Sequence, residues 1–250
     1  MIDMHTHILP FIDDGAENGE ISLELIKRDV EQGVDTIVFT PHYYGQKFSP
    51  ERFLENRQKA FEMIEKNIGG VAVKMAAEVY FSEEKVASTR SLCKLAIEGT
   101  KYILIELPLN TVWSEGLWFQ LRDFIYDSEY TPIIAHAERY AEINKNPQYL
   151  SVLADMGCLL QVNTRSFIDE RSKQMAFTML KKGLVHCLGT DTHNLDERAP
   201  DYGAAKTAIF EANEGERFEK IQQNMRDILN GKTVEIGGYE PMKRFFKKFY

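Results

Sequence analysis

Short apolar, β-branched runs alternate along the chain with longer stretches in which apolar residues return every three or four positions. The runs are 1–5 (MIDMH), 35–40 (DTIVFT), 71–80 (VAVKMAAEVY), 101–107 (KYILIEL), 131–137 (TPIIAHA), 158–163 (CLLQVN) and 185–190 (VHCLGT). Their length and bounding residues predict strands. Between them, 21–33, 50–67, 118–127, 146–157 and 172–183 carry helical spacing, as in Leu23, Ile26 and Val30 or Leu150, Leu153 and Ala154. Gly33, Gly157 and Gly183 each follow an apparent last turn, the place a helix stop prefers glycine. Residues 204–232 read as closing helices. Strands alternating with helices, without a Pro/Gly/Ser-rich linker, predict one α/β domain with a parallel sheet. The pattern alone leaves open whether that sheet closes into a barrel.

The polar exceptions to this pattern fall in one place. His5 and His7 end the first run, and residues i and i+2 of a strand face the same side. Alone, the pair would read equally well as a polar strand end. The loop that follows holds Asp13 and Asp14. His42 comes just after the second run, Glu78 near the end of the third, Glu106 at the end of the fourth and His136 at the end of the fifth; Asp191 and His193 follow the seventh. Five of the six histidines thus sit at or beyond a strand's C-terminal end, where α/β barrels and open α/β sheets carry their chemistry. The sixth, His186, starts the seventh run and reads as structural.

A carboxylate inside an apolar strand, as at Glu78 or Glu106, is costly unless paired or metal-bound. Nine donors (His5, His7, Asp14, His42, Glu78, Glu106, His136, Asp191 and His193) exceed one ion, since a catalytic zinc takes about three protein ligands plus water. The set predicts two or three divalent ions, with a carboxylate such as Glu78 bridging. Without sulfur it suits Mn²⁺, Fe or Zn²⁺, with Mg²⁺ a further candidate. Arg139, three residues after His136, and Arg198, seven after Asp191, could clamp a phosphoryl group or simply form surface salt bridges. Tyr43, Tyr44, Phe48 and Trp113 follow strands two and four; they could line a slot for an aromatic ring or simply pack the rim.

Composition narrows the setting. At 250 residues, with 44% hydrophobic and 27% charged side chains, a sizeable core is expected. A net charge of −8 argues against a nucleic-acid partner, which needs a basic footprint. No apolar run approaches the roughly 20 residues of a membrane span, and no signal peptide opens the chain. Cys93, Cys158 and Cys187, odd in number and widely spaced, read as buried thiols in a reducing compartment, so a cytoplasmic protein is expected. The end of the chain, PMKRFFKKFY, mixes Lys243, Arg244, Lys247 and Lys248 with Phe245, Phe246, Phe249 and Tyr250. Either its aromatics dock on the body, or it touches an anionic membrane surface or a partner. Residues 1–238 are expected to form the domain and 239–250 a basic aromatic tail.

Taken together, MIDMHTHILP, DDGA, TPH, AAEVYF, KYILIELP, PIIAHAERY and GTDTHNLDERAP resemble the polymerase-and-histidinol-phosphatase superfamily. Within it they look like the bacterial manganese-dependent protein-tyrosine phosphatases of capsule and exopolysaccharide operons. The resemblance spans residue 1 to about residue 200, and the helical remainder follows in the same order. It implies a distorted seven-stranded (β/α) TIM-like barrel. It implies one ion on His5, His7, Glu78 and Asp191, a second on Glu78, Glu106 and His136, and a third on Asp14, His42 and His193. Asp14 rather than Asp13, and phosphate binding by Arg139 and Arg198, are likewise implied. The expected activity is hydrolysis of phosphotyrosine by a metal-bridging hydroxide without a phospho-enzyme, on a bacterial tyrosine kinase that controls polysaccharide assembly. The nearest alternative is a small-molecule phosphomonoesterase of the same superfamily, such as histidinol-phosphate phosphatase.

Overall fold

The computed structural model of the protein describes residues 1–82 and 89–242. Its strands are β1 (Ile2–Thr6), β2 (Thr36–Phe39), β3 (His42–Tyr43), β4 (Ala72–Met75), β5 (Glu78–Tyr80), β6 (Tyr102–Glu106), β7 (Thr131–Ile134), β8 (Leu159–Asn163) and β9 (Cys187–Gly189). The helices are α1 (Gly19–Glu31), α2 (Pro50–Glu62), α3 (Thr89–Leu92), α4 (Glu115–Ser128), α5 (Ala141–Lys145), α6 (Gln148–Asp155), α7 (Lys173–Lys181), α8 (Tyr202–Glu211) and α9 (Gly215–Leu229). Every predicted run overlaps a strand, and every predicted helical stretch overlaps a helix.

Two runs are broken, and the breaks shape the site. Pro41 has no N–H to give to a ladder, so the strand through residues 36–43 stops at Phe39 and resumes at His42. The run 71–80 breaks at Ala76 and Ala77, two small and fully buried residues. Its first half pairs with β2 and its second half with β3 and β6, giving the orders β1-β2-β4 and β3-β5-β6-β7-β8-β9, all parallel. The Glu78 N–H donates to the carbonyls of Thr40 and Pro41 at 3.3 and 3.1 Å, which ties the two segments together.

The sheet curls until its two ends meet. Thr6 bridges in parallel to Thr192, and the Asp191 and His7 N–H groups donate to the His5 and Thr192 carbonyls at 2.8 and 2.9 Å. This closeness demands glycine at 189: a Cβ there would lie 2.5 Å from the Cβ of His5 and 2.8 Å from its backbone nitrogen. The result is an α/β fold with a curled parallel sheet. Strands β1, β6 and β8 are buried at every position, because side chains cover one face and helices the other.

Cys158 and Cys187 lie in this core, where burial pushes the Cys158 thiol up to about 12 and raises that of Cys187 as well; Cys93 is half-buried. At neutral pH an alkylating reagent should therefore modify Cys93 alone in the native protein, and all three cysteines after unfolding. Mass spectrometry that finds two fast-reacting thiols would show that the β8–β9 core opens.

Of the expected tail, residues 239–242 pack on the body. The Glu240 N–H donates to the Lys182 carbonyl at 2.8 Å, Tyr239 bonds Asp155, and the N–H of buried Met242 reaches Ser151 Oγ at 2.9 Å. Lys243 to Tyr250, which carry the basic aromatic character, lie outside the described residues. No helix among the described residues is long and apolar enough to cross a membrane.

Candidate metal centre

All nine sequence-predicted donors meet at the C-terminal mouth of the sheet. His5 and His7 come from the end of β1, Asp14 from the following loop and His42 from β3. Glu78 starts β5, Glu106 ends β6, His136 lies just beyond β7, and Asp191 and His193 lie just beyond β9. The break at Ala76–Ala77 moves Glu78 from the end of a long strand to the floor of the site. There its carboxylate faces His5 and His7 (3.4 Å each), His42 (2.8 Å) and His136 (2.9 Å).

Two donors about 2.1 Å from a common ion sit roughly 3–3.5 Å apart. The observed spacings match: His7 to Asp191 is 3.5 Å, His5 to Asp191 3.7 Å, His42 to Asp14 3.4 Å, His193 to Asp14 3.6 Å and His136 to Glu106 3.6 Å. Three groups of donors are close enough to share ions: His5, His7 and Glu78; His42, Glu78 and Glu106; and His7, Asp14, His42 and His193. These differ from the implied partition: His42 stands where His136 was expected beside Glu78 and Glu106, His7 joins the Asp14 group, and Asp191 and His136 reach the cluster through their contacts with His5, His7, Glu78 and Glu106 instead.

Several buried polar atoms here have no hydrogen-bond partner among the described residues: Glu78 Oε2, His42 Nδ1, His193 Nε2 and His136 Nδ1. The first two are 2.8 Å apart but not aligned for a hydrogen bond. His5 and His7 point their Nε2 atoms at each other across 3.0 Å. Such an arrangement is costly in a dry interior unless a cation sits between the donors. The ionisation balance agrees. Burial would lower the pKa of His7, but Asp13 and Glu78 outweigh it and hold it up at about 10; His5 is raised by Glu78 and Asp191. Glu106 is pushed up to about 8 by burial and by the Glu78 charge. A divalent ion among these groups would compete with protons for the same nitrogen and oxygen atoms, so ion binding would release protons. The donor set fits such ions.

The imidazoles are aimed by a surrounding layer. His7 Nδ1 faces Asp13 Oδ2 at 2.7 Å, His5 Nδ1 faces Gln161 Oε1 at 3.1 Å, and His193 Nδ1 faces the Asp191 carbonyl at 2.9 Å. Each contact turns Nε2 toward the centre, the arrangement that orients metal-binding histidines. Asp13 and Asp14, which sequence alone could not rank, thus separate: Asp13 holds His7 and accepts from the His42 and Gly15 N–H groups, while Asp14 faces His42 and His193. Gln161 also accepts from the His136 N–H at 2.7 Å and donates to Asn163 Oδ1 at 3.0 Å; Asn163 in turn donates to Asp191 at 2.9 Å. Sequence reading missed this Gln161–Asn163 relay. Its signal was there: two amides at alternate positions of the otherwise apolar LLQVN strand.

His136 and Asp191 hold left-handed backbone, at φ 31° and 55°. That conformation is strained for residues with a Cβ, and it persists where surrounding contacts impose it. Arg139 and Arg198 grip Asp191 from both sides, at 2.8 and 2.6 Å, with more than a third of each side chain exposed to the cavity outside. Among the four aromatic candidates, Tyr43 is buried against Phe53, and Trp113 is buried against Trp118 and Tyr140, donating to the Pro108 carbonyl. Phe48 is half-buried against the core. Tyr44 is the one beside the site, its ring 5.4 Å from that of His42. His186 accepts the Leu160 N–H on Nδ1 and stays neutral, its pKa pushed down to about 4 by burial and Lys220.

The chain is similar to a tyrosine-protein phosphatase, YwqE, of Bacillus subtilis, with 31% identity over 98% of this chain and 97% of the relative. It is 32% identical to the tyrosine-protein phosphatase CpsB of Streptococcus pneumoniae over 80% of this chain and 86% of the relative. A crystal structure from work on these two proteins, described as unique metal-dependent tyrosine phosphatases, superposes with a TM-score of 0.83 at 27% identity, covering 98% of this chain and 100% of the other. A lactonase from Listeria monocytogenes, at 14% identity, 93% and 95% coverage and a TM-score of 0.54, shares the fold alone. Residues 1–230 match the family described as capsular polysaccharide synthesis, CpsB/CapC, and the chain belongs to that family.

Proposed function

We propose that this protein is a metal-dependent protein-tyrosine phosphatase. The observation that carries the reading is the convergence of five histidines and four carboxylates on one mouth, with two arginines clasping Asp191 beside an open cavity. His5, His7, Asp14, His42, Glu78, Glu106, His136, Asp191 and His193 would hold two or three divalent ions. An all-nitrogen-and-oxygen set built on imidazole and carboxylate suits manganese. Divalent ions bound there supply Lewis acidity toward the phosphoryl oxygens.

The chain's own residues do the rest. Each arginine spends one N–H on Asp191 and keeps further donors in its planar fork, so both guanidiniums are preset to take phosphoryl oxygens bidentately. The Gln161–Asn163 relay keeps His5, His136 and Asp191 in register with each other. The leaving phenolate has a conjugate-acid pKa of about 10, so departure asks little of a general acid. Cys158 and Cys187 are buried, which argues against a covalent thiol route.

The phosphotyrosine substrate belongs to a protein, on this reading a bacterial tyrosine kinase that governs capsule or exopolysaccharide assembly. On this reading the enzyme works in the cytoplasm, and the basic aromatic stretch 243–250 meets the inner membrane face. The nine strand segments form the seven staves of a distorted barrel over 1–238, β2 with β3 and β4 with β5 each making one.

Arg139→Ala should retain its metal and lose about 10²-fold in kcat/KM on a phosphotyrosine peptide, near 3 kcal/mol of charge-assisted contact with the transferring group. Metal analysis beside steady-state kinetics checks this. Loss of metal would show that the arginine chiefly holds Asp191. The function itself is tested by comparing turnover of a phosphotyrosine peptide and of histidinol phosphate by manganese-loaded and chelated protein. Preference for histidinol phosphate, or full activity after chelation, would overturn it.

A further inference from the structure

The clasped arginines border a larger space than one phosphoryl group needs. A cavity of about 380 Å³ opens beyond Arg139, Asp191 and Arg198 and runs along the segment after β8, where Arg165 and Arg171 join its wall. That volume is at the lower end of the range that holds whole small molecules, roughly 300–1,000 Å³. Four arginines therefore line one contiguous space that reaches Asp191 at the edge of the metal centre.

The carboxylates in the same wall do not cancel them evenly. Asp191 is claimed by Arg139 and Arg198. Asp201 is nearly buried and accepts from Thr164, leaving Arg165 a looser contact at 3.5 Å. Asp169 is exposed on the same wall and accepts the Arg171 backbone N–H at 2.8 Å. Like the exposed Glu197, it would oppose an anion. The Arg171 guanidinium has no carboxylate partner among the described residues, and more than half of the Arg165 side chain is exposed. Arg165, in its looser contact with Asp201, and Arg171 thus keep donors to offer a ligand, next to the pair that clasps Asp191.

We propose that Arg165 and Arg171 form a second anion subsite, which takes an acidic group borne by the same polypeptide as the phosphotyrosine. This inference rests on the phosphatase reading and names its preferred substrate class: peptides in which phosphotyrosine is flanked by a carboxylate or by a second phosphoryl group. Both are planar or trigonal arrays of oxygen that a guanidinium fork matches.

The test uses the manganese-loaded full chain and three phosphotyrosine peptides: one with alanine flanks, one with glutamate flanks and one with a second phosphotyrosine. The wild type should favour the anionic peptides over the alanine peptide by about tenfold in kcat/KM, mostly through KM, as a half-exposed charge-assisted contact would give. In Arg165→Ala/Arg171→Ala the ratio should fall close to one, and Arg171→Lys should keep part of it. Kd values for the matching non-hydrolysable phosphonate peptides, read by fluorescence anisotropy, should show the same ratios. The glutamate and phosphotyrosine arms tell which anion the subsite prefers, and discrimination in either supports it. A ratio near one in the wild type, or one that the double variant leaves intact, overturns the subsite while leaving the phosphatase reading in place. Absence of turnover of all three peptides and of a small aryl phosphate overturns that reading, and the subsite with it.

Discussion

Glu78→Gln protein should emerge from purification with little bound cation and with kcat/KM on phosphotyrosine lower by on the order of 10³-fold, about 4 kcal/mol of transition-state stabilisation. The amide fills the volume of the carboxylate but carries no charge. Glu78 is central to the cluster: it approaches four histidines, His5, His7, His42 and His136, and, like His7 and His42, it belongs to two of the three donor groups. Despite complete burial, its pKa is held well below the ordinary carboxylate range by His5, His136 and His42, so it is ionised in the native protein. Removing the charge leaves imidazoles facing a neutral amide, and divalent ions lose a shared anionic ligand. The measurements are metal content by elemental analysis and steady-state kinetics with manganese in excess. A melting transition that remains cooperative would separate loss of ions from loss of fold. Normal metal content and turnover in this variant would mean that the centre is assembled on other atoms.

Glu78 also shows which parts of the site were legible in the sequence. A lone carboxylate in an apolar run declares itself, because its burial needs a partner, and His-x-His at the end of a strand declares a shared face. The strand ends could be placed from local runs, so the rim on which the donors gather could be placed too. Other features depend on contacts distant in sequence. That the run 71–80 bends at Ala76–Ala77, and so sets Glu78 on the floor, follows from pairing with β2 before the break and with β3 and β6 after it. Asp13 and Asp14 are adjacent and chemically equal, and the fold of their loop over His7 distinguishes them. Gln161 and Asn163 were readable as a polar stripe, but their partners lie on β1, on β9's loop and beyond β7. Tyr43 and Trp113 look identical to ring-binding aromatics until their neighbours in the core are known.

That same loop carries the second large effect. Gly15→Ala should lower activity by on the order of 10²-fold, reduce metal content and destabilise the protein by about 3 kcal/mol, the upper part of the cost of overpacking. A Cβ at residue 15 would stand 2.0 Å from the His7 carbonyl oxygen and within 3 Å of two further His7 atoms, so backbone must move, not merely a side chain. The loop that has to move is anchored by the Gly15 N–H on Asp13 and by the Ala16 N–H on the His7 carbonyl, at 3.0 and 3.1 Å. Displacing it takes Asp13 from His7 and withdraws Asp14 from His42 and His193 together, which leaves the His7, Asp14, His42 and His193 group without its carboxylate. For a chain of this size the stability loss corresponds to a fall of roughly 6–12 °C in Tm. Calorimetry and elemental analysis measure the two consequences separately. Because the group formed by His5, His7 and Glu78 keeps its carboxylate, the variant should retain part of its metal; if it kept the full complement and full activity, the tight fold of this loop over His7 would be irrelevant to the centre.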